Sequence, residues 1–240
     1  MSVGRRRFLQ GSASAGAVLL AAPTRLFAGQ TAFPAPGYPT AAAGHPILLL
    51  RSPDDGPFAL PAQRTARRCG VASIGSLVLA EKLVGSTGAL RAALRAHRGT
   101  TLIGLMDDRT ATLLEETVRD LDGSVCCRGQ HRGVLRDGAA SRHAFMTTAA
   151  TRGIGNALAR MLRADEAAFL VREHALCEDG AGADQTDSPS NAPWPSVLGV
   201  SYALMAAGLW APRPVIAELQ RGTVADEPGA QPYVSLVAKI

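Results

Sequence analysis

The stretch TTLIGLMDDRTATLLEETVRDLDGSVCCRGQHRGVLRDGAASRHAFMTT, residues 100–148, decides the fold. Thr100 to Met106 is a short apolar run of strand length. Asp107-Asp108 then opens a helix in which Leu113, Leu114, Val118 and Leu121 fall on one face, and Gly123 ends it. Ser124 to His131 and Arg142 to Thr148 read as two further strands, with Asp137-Gly138 between them as a hairpin turn signal. This β-α-β-β core predicts an α/β or α+β class: a single small domain flanked by further helices.

Working outward, Ser86 or Thr87 can cap a helix through His97, with Gly99 as its stop. Residues 71–84 are mostly apolar, end in Glu81-Lys82-Leu83-Val84, and read as a buried helix. Residues 29–62 carry Pro34, Pro36, Pro39, Pro46, Pro53, Pro57 and Pro61, the composition of a linker or an arm lying on the domain. Ile47 to Leu50 could be one short edge strand inside it. On the other side, Gly155 to Glu173 reads as one long helix, residues 178–196 as loop, Val197 to Leu209 as a last helix and Tyr233 to Ala238 as a terminal strand. The expected organisation is a leader over 1–28, the arm over 29–62 and one domain over 63–240.

At 240 residues, 47% hydrophobic and 19% charged, the composition is that of a globular chain. A chain of this size can bury roughly 70% of its unfolded surface and needs no metal or disulfide to fold. The formal charge is +5, yet Arg5, Arg6, Arg7 and Arg25 all fall in the first 28 residues. The remainder holds 21 basic against 20 acidic side chains, a net of +1. A nucleic-acid binder keeps a basic surplus on its folded domain. This balance argues against one.

The leader has a recognisable form. Gly4-Arg5-Arg6-Arg7-Phe8-Leu9-Gln10 precedes the small, apolar run Gly11 to Ala22. It resembles the twin-arginine (Tat) export signal, in which an arginine pair is followed by any residue and Phe-Leu. Arg25 is similar to the basic residue often found near the end of such signals. About a dozen apolar residues are too few for a helix that needs ~20 to span a bilayer, so no stable span is expected after cleavage. Cleavage is expected after Ala28 or after Ala43. The resemblance implies passage of a folded chain through the Tat translocase to the periplasm. It raises the prior for a cofactor or a co-exported partner and names neither.

Several constellations could carry chemistry. Thr148-Ala149-Ala150-Thr151-Arg152-Gly153-Ile154-Gly155 looks like the cofactor turn of short-chain dehydrogenases, with Ala149 in place of the first glycine. No Tyr-x-x-x-Lys pair follows it. A plain strand-to-helix turn is the simpler reading, and an anion held at that helix start, near Gly153 and Gly155, stays open beside it. Gly199-Val200-Ser201-Tyr202-Ala203 has the outline of a nucleophile elbow, but no histidine follows Ser201. His174 and Cys177, three apart on a possible helix, supply two ligands where a closed zinc site needs four, so no metal site is expected.

Asp107 and Asp108 follow a strand, where α/β proteins place ligand groups. They are the acid/base candidates together with His143; either acid is equally a helix N-cap. With Asp137-Gly138 as a two-residue turn, Arg132 faces His143 and His131 faces Ala144. Arg128, Gln130, Arg132 and His143 then share a basic face fitted to a small anion or an acidic partner, with His131 on the other. A turn longer by one residue reverses that assignment.

The expected function is a binding or accessory role in the periplasm, alongside a co-exported partner. The alternative is an enzyme acting on an anionic small molecule with Asp107, Asp108 and the Arg128, Arg132 and His143 face. For Cys69, Cys126, Cys127 and Cys177 two states stand open. One is bridging from the 126–127 pair outward to Cys69 and Cys177; the other is four reduced core thiols.

Overall fold

A computed structural model describes residues 45–53, 55–133, 140–162, 168–175, 193–212, 218–221 and 232–240. Among these the chain is a mixed α/β domain. Its strands are β1 (Ile47–Arg51), β2 (Ile74–Val78), β3 (Thr101–Asp107), β4 (Ser124–Gly133), β5 (Ser141–Thr147), β6 (Phe169–Ala175), β7 (Glu218–Arg221) and β8 (Pro232–Lys239). Its helices are α1 (Gly56–Arg68), α2 (Glu81–Val84), α3 (Thr87–Arg95), α4 (Asp108–Asp120), α5 (Ile154–Leu162) and α6 (Trp194–Ala206). The strands form one sheet in the order β2-β1-β3-β8-β4-β5-β6-β7. β1 runs parallel to β2 and β3, and β5 parallel to β6; every other neighbouring pair is antiparallel.

The helices on either side of β3 form as expected, each by a local cause. The Ser86 hydroxyl accepts the Ala89 N–H at the start of α3, and Gly99 takes a left-handed φ of +82° after it. The Asp107 carboxylate accepts the N–H of Thr110 at 2.9 Å and its hydroxyl at 2.7 Å, starting α4. The order across the sheet is new: β8, from the far end of the sequence, pairs with β3 on one side and β4 on the other.

Four expectations are corrected. Ile47 to Leu50 is not an edge strand. All four residues are buried with β2 and β3 on either side, as expected of a continuous apolar run in a parallel sheet. Residues 47–62 are accordingly fold rather than arm, and α1 contains Pro57 and Pro61. Pro61 has no N–H to give the Pro57 carbonyl one turn back. That carbonyl instead accepts the Ser196 hydroxyl of α6 at 2.9 Å, so tertiary packing satisfies what the proline left open. Residues 71–84 form β2 and the short α2, because an apolar run of this length fits either period. Gly155 to Glu173 divides into α5 and β6, the apolar Phe169-Leu170-Val171 entering the sheet.

Side chains alternate across a strand, so the sheet has two faces. On the inner face α1, α5 and α6 cover Ile47, Leu49, Ile103, Leu105, Phe145, Phe169, Val171 and Val237. On the outer face α2, α3 and α4 cover Leu48, Leu50, Leu102, Met106, Val234, Leu236 and Ala238. That second cover sits over β1, β3 and β8. A bulge at Cys126 in β4 shifts the alternation: Val125 joins the outer core, whereas Cys127 joins the inner one. No helix among the described residues is long and apolar enough to cross a membrane.

Candidate functional site

The β4–β5 hairpin sets the site, and its register corrects one expectation. His131 lies opposite His143 and Arg132 opposite Arg142. This is the alternative in which the connection is longer by one residue; Asp137-Gly138 itself falls outside the described residues. One residue of slip moves every side chain to the other face. His143 therefore leaves the basic face and meets His131 on the inner one.

There the two rings join a continuous string of buried groups. The two Nδ1 atoms are 2.9 Å apart, and His143 Nε2 lies 2.9 Å from Ser141 Oγ. On the other side His131 Nε2 is 2.6 Å from Ser235 Oγ, which is 2.7 Å from the Tyr202 hydroxyl. Tyr202 in turn reaches the Cys127 sulfur at 3.5 Å. β4, β5, β8 and α6 each contribute. Gly129 makes the room, since a Cβ there would stand 2.6 Å from His131 Nε2 and closer still to Ser235 Oγ. Trp194, the first residue of α6, stacks on His131 at 4.9 Å and meets His143 edge-on at 5.1 Å.

Burial fixes the charge states. It pushes His143 down to about 3, and burial with the neighbouring His143 holds His131 well below the usual range. Burial raises the Cys127 thiol to about 12 and lifts Tyr202 well above an ordinary phenol. All four are neutral at physiological pH. Two neutral imidazoles sharing an Nδ1···Nδ1 contact need one donor and one acceptor, so their tautomers are opposite. The order Ser235, His131, His143 is that of a nucleophile, its base and the group that orients the base. Ser235 and His131 are both 0% exposed, and Trp194 stacks on the His131 ring.

The turn before α5 is an anion cradle that the protein itself fills. Glu173 of β6 accepts the N–H of Gly153 at 2.7 Å, the N–H of Gly155 at 2.8 Å and the Thr147 hydroxyl at 3.0 Å. Burial raises its pKa, opposed by these donors and by the Asn156 N–H. Gly155 has no space for a Cβ, which would lie 2.9 Å from Glu173 Oε2. The place where a cofactor phosphate was conceivable thus holds a carboxylate from β6, the side chain that sequence reading missed.

The remaining candidates separate. Burial alone would raise the Asp107 carboxyl, but the hydrogen bonds from Thr110 outweigh it and hold it below the usual range, as suits an N-cap. Asp108 lies 3.5 Å from Arg128, which also pairs with Glu115 at 2.7 Å. Ser201 sits buried within α6 rather than on a strand-to-helix turn, and Gly199 packs α6 against the Phe58 carbonyl of α1. His174 is exposed on β6, not on a helix, and Cys177 lies outside the described residues. Cys69, Cys126 and Cys127 are free thiols.

Arg128, Gln130 and Arg132 keep the shared outer face that the sequence gives them, joined there by Arg142, Ala144 and Met146 of β5 and Leu170, Arg172 and His174 of β6. Compared with protein families, curated proteins and solved structures, the chain matches no family model, no curated protein and no solved structure.

Proposed function

We propose that the chain is exported folded through the Tat pathway and serves in the periplasm as a soluble binding or accessory protein beside a co-exported partner. One observation carries the reading. The outer face of β5 and β6 is open among the described residues, with Met146 at 45% exposure and Arg132 and Arg172 exposed around it. The polar groups best suited to catalysis are meanwhile engaged with one another inside. Mature protein taken from periplasmic extract should elute from a sizing column with a stoichiometric second protein, identified by mass spectrometry. Elution as the lone chain overturns the accessory role. Export is tested separately: with Arg5→Lys and Arg6→Lys together the precursor should stay in the cytoplasm, and unchanged export ends the Tat assignment.

A second reading, a periplasmic enzyme, is favoured by the Ser235–His131–His143 order. It requires a fluorophosphonate probe to label Ser235 in the folded protein and to fail in His131→Ala. An unlabelled Ser235 removes it.

A further inference from the structure

The sheet ends in two edges, and they are built differently. β7, at one end, is four residues long and carries Glu218 and Arg221. Short, charged edges resist the addition of another strand. β2, at the other end, reads Ile74-Gly75-Ser76-Leu77-Val78, with no charge and no proline. It pairs with β1 on one side, and no described residue pairs with the other.

The register decides which backbone groups are left over. The Ile47 N–H is given to the Ser73 carbonyl at 2.9 Å and the Leu79 N–H to the Arg51 carbonyl at 2.8 Å. Alternate residues of a strand bond to the same neighbour, so Ser73, Gly75, Leu77 and Leu79 face β1. Ile74, Ser76 and Val78 turn both N–H and C=O outward. Their side chains share the inner side of the sheet, where Ile74 packs against the core, Ser76 is exposed and Val78 is 63% exposed. α1 flanks this edge. Its Phe58 and Ala62 lie against Gly199 of α6, which extends over β3, β8 and β4. At 3.6 residues per turn Leu60 falls on the opposite flank of α1, toward β2, and it is 51% exposed. Leu60 and Val78 are two of the three large apolar side chains exposed among the described residues.

We infer that β2 is a dimer interface: it pairs antiparallel with β2 of a second copy across a two-fold axis at Ser76, making one sheet through both chains. About that axis Ser76 faces itself and Ile74 faces Val78, each rung exchanging two hydrogen bonds. The outward residues read the same in both directions, apolar, hydroxyl, apolar. A second copy therefore satisfies every outward backbone group and sets no like charges opposite. Leu60 carries the apolar strip beyond the strand, as a stable interface requires more area than a short strand alone. The inference concerns this chain alone and is independent of the accessory role.

The test is sedimentation equilibrium of the mature protein, which should show twice the mass of one chain. Ser76→Lys with Val78→Lys should give a monomer of unchanged circular dichroism, because lysines would meet across the axis. Ser76→Cys, which leaves the strand intact, should give on mild oxidation a reducible dimer linked through residue 76. A hydrogen-bonded antiparallel pair holds its Cα atoms ~5.5 Å apart, within disulfide reach. A monomeric wild type overturns the inference, as does a dimer that survives the lysine pair or a Ser76→Cys chain that does not cross-link. A monomer whose Ser76 amide still resists hydrogen exchange overturns it in favour of another segment of this chain on the edge. Cross-linking of Ser76→Cys to a different protein in the periplasm overturns it in favour of a heterologous partner.

Discussion

The two faces of the β4–β5 hairpin present opposite environments. His131–His143 and Arg132–Arg142 are successive rungs of one ladder. On the inner face the histidines are sealed, neutral and hydrogen-bonded on both nitrogens. On the outer face Arg132 is exposed and Arg142 is half-buried. What separates these environments is the covering layer, not the backbone: α6 lies over one rung, and nothing among the described helices lies over the next. A rung buried this way is expected to govern stability, whereas an open rung is expected to govern association.

The sharpest way to break the contrast is to remove the cover. Trp194→Ala takes a large buried ring from both imidazoles and should cost about 3–5 kcal/mol in urea unfolding. A loss below about 1 kcal/mol would mean that the inner rung is not sealed by Trp194.

Acid should come next. Both histidines have folded-state pKa values below the unfolded value of about 6.5, so their contribution is fully present above that pH and lost as pH falls. For His143 the window runs from about 6.5 down to about 3. Two such groups can remove up to ~3 kcal/mol per pH unit once both are protonated in the unfolded chain. Glu173 acts in the opposite sense, because its raised pKa makes the folded state take up a proton first as pH falls. Stability should therefore decline below pH 6.5 in wild type, and less steeply in His131→Phe with His143→Phe. Equal slopes would show that the rings are not held neutral.

The smallest effects compare two positions of β4 on opposite faces. Gly129→Ala forces a Cβ onto Ser235 and His131 and should cost about 1–3 kcal/mol. Arg132→Ser, on the open rung, should stay within ~0.5 kcal/mol. If the two substitutions destabilise equally, the division of labour between the faces fails.

What was legible in the sequence follows the range of each cause. α4 could be read because its cap, its apolar stripe and its stop lie within seventeen residues, Asp107 to Gly123. The class, a mixed α/β domain, followed from such local pieces. The histidine pair could not be read with certainty, because facing partners depend on whether the connection between β4 and β5 holds an odd or even number of residues. Tyr202, Ser235 and Glu173 were missed because their partners come from distant strands and helices. One signal was available: Gly129, a glycine inside a strand between Arg128 and Gln130, marks a close approach by another group. Proline misled for the converse reason. Pro61 argues locally against a helix, and only Ser196, far along the chain, answers it.

The buried string has one more property. Run from Cys127, its donors can point thiol to phenol to Ser235 to His131, then from His131 Nδ1 to His143, and from His143 to Ser141. Run from Ser141, the same heavy atoms support the reverse sequence of donors, with both imidazoles in the other tautomer. No single link can turn alone, since an isolated reversal would set two hydrogens or two lone pairs face to face. The string is thus a two-valued element inside a rigid core: its polarity flips as a whole or not at all, while no side chain has to leave its place.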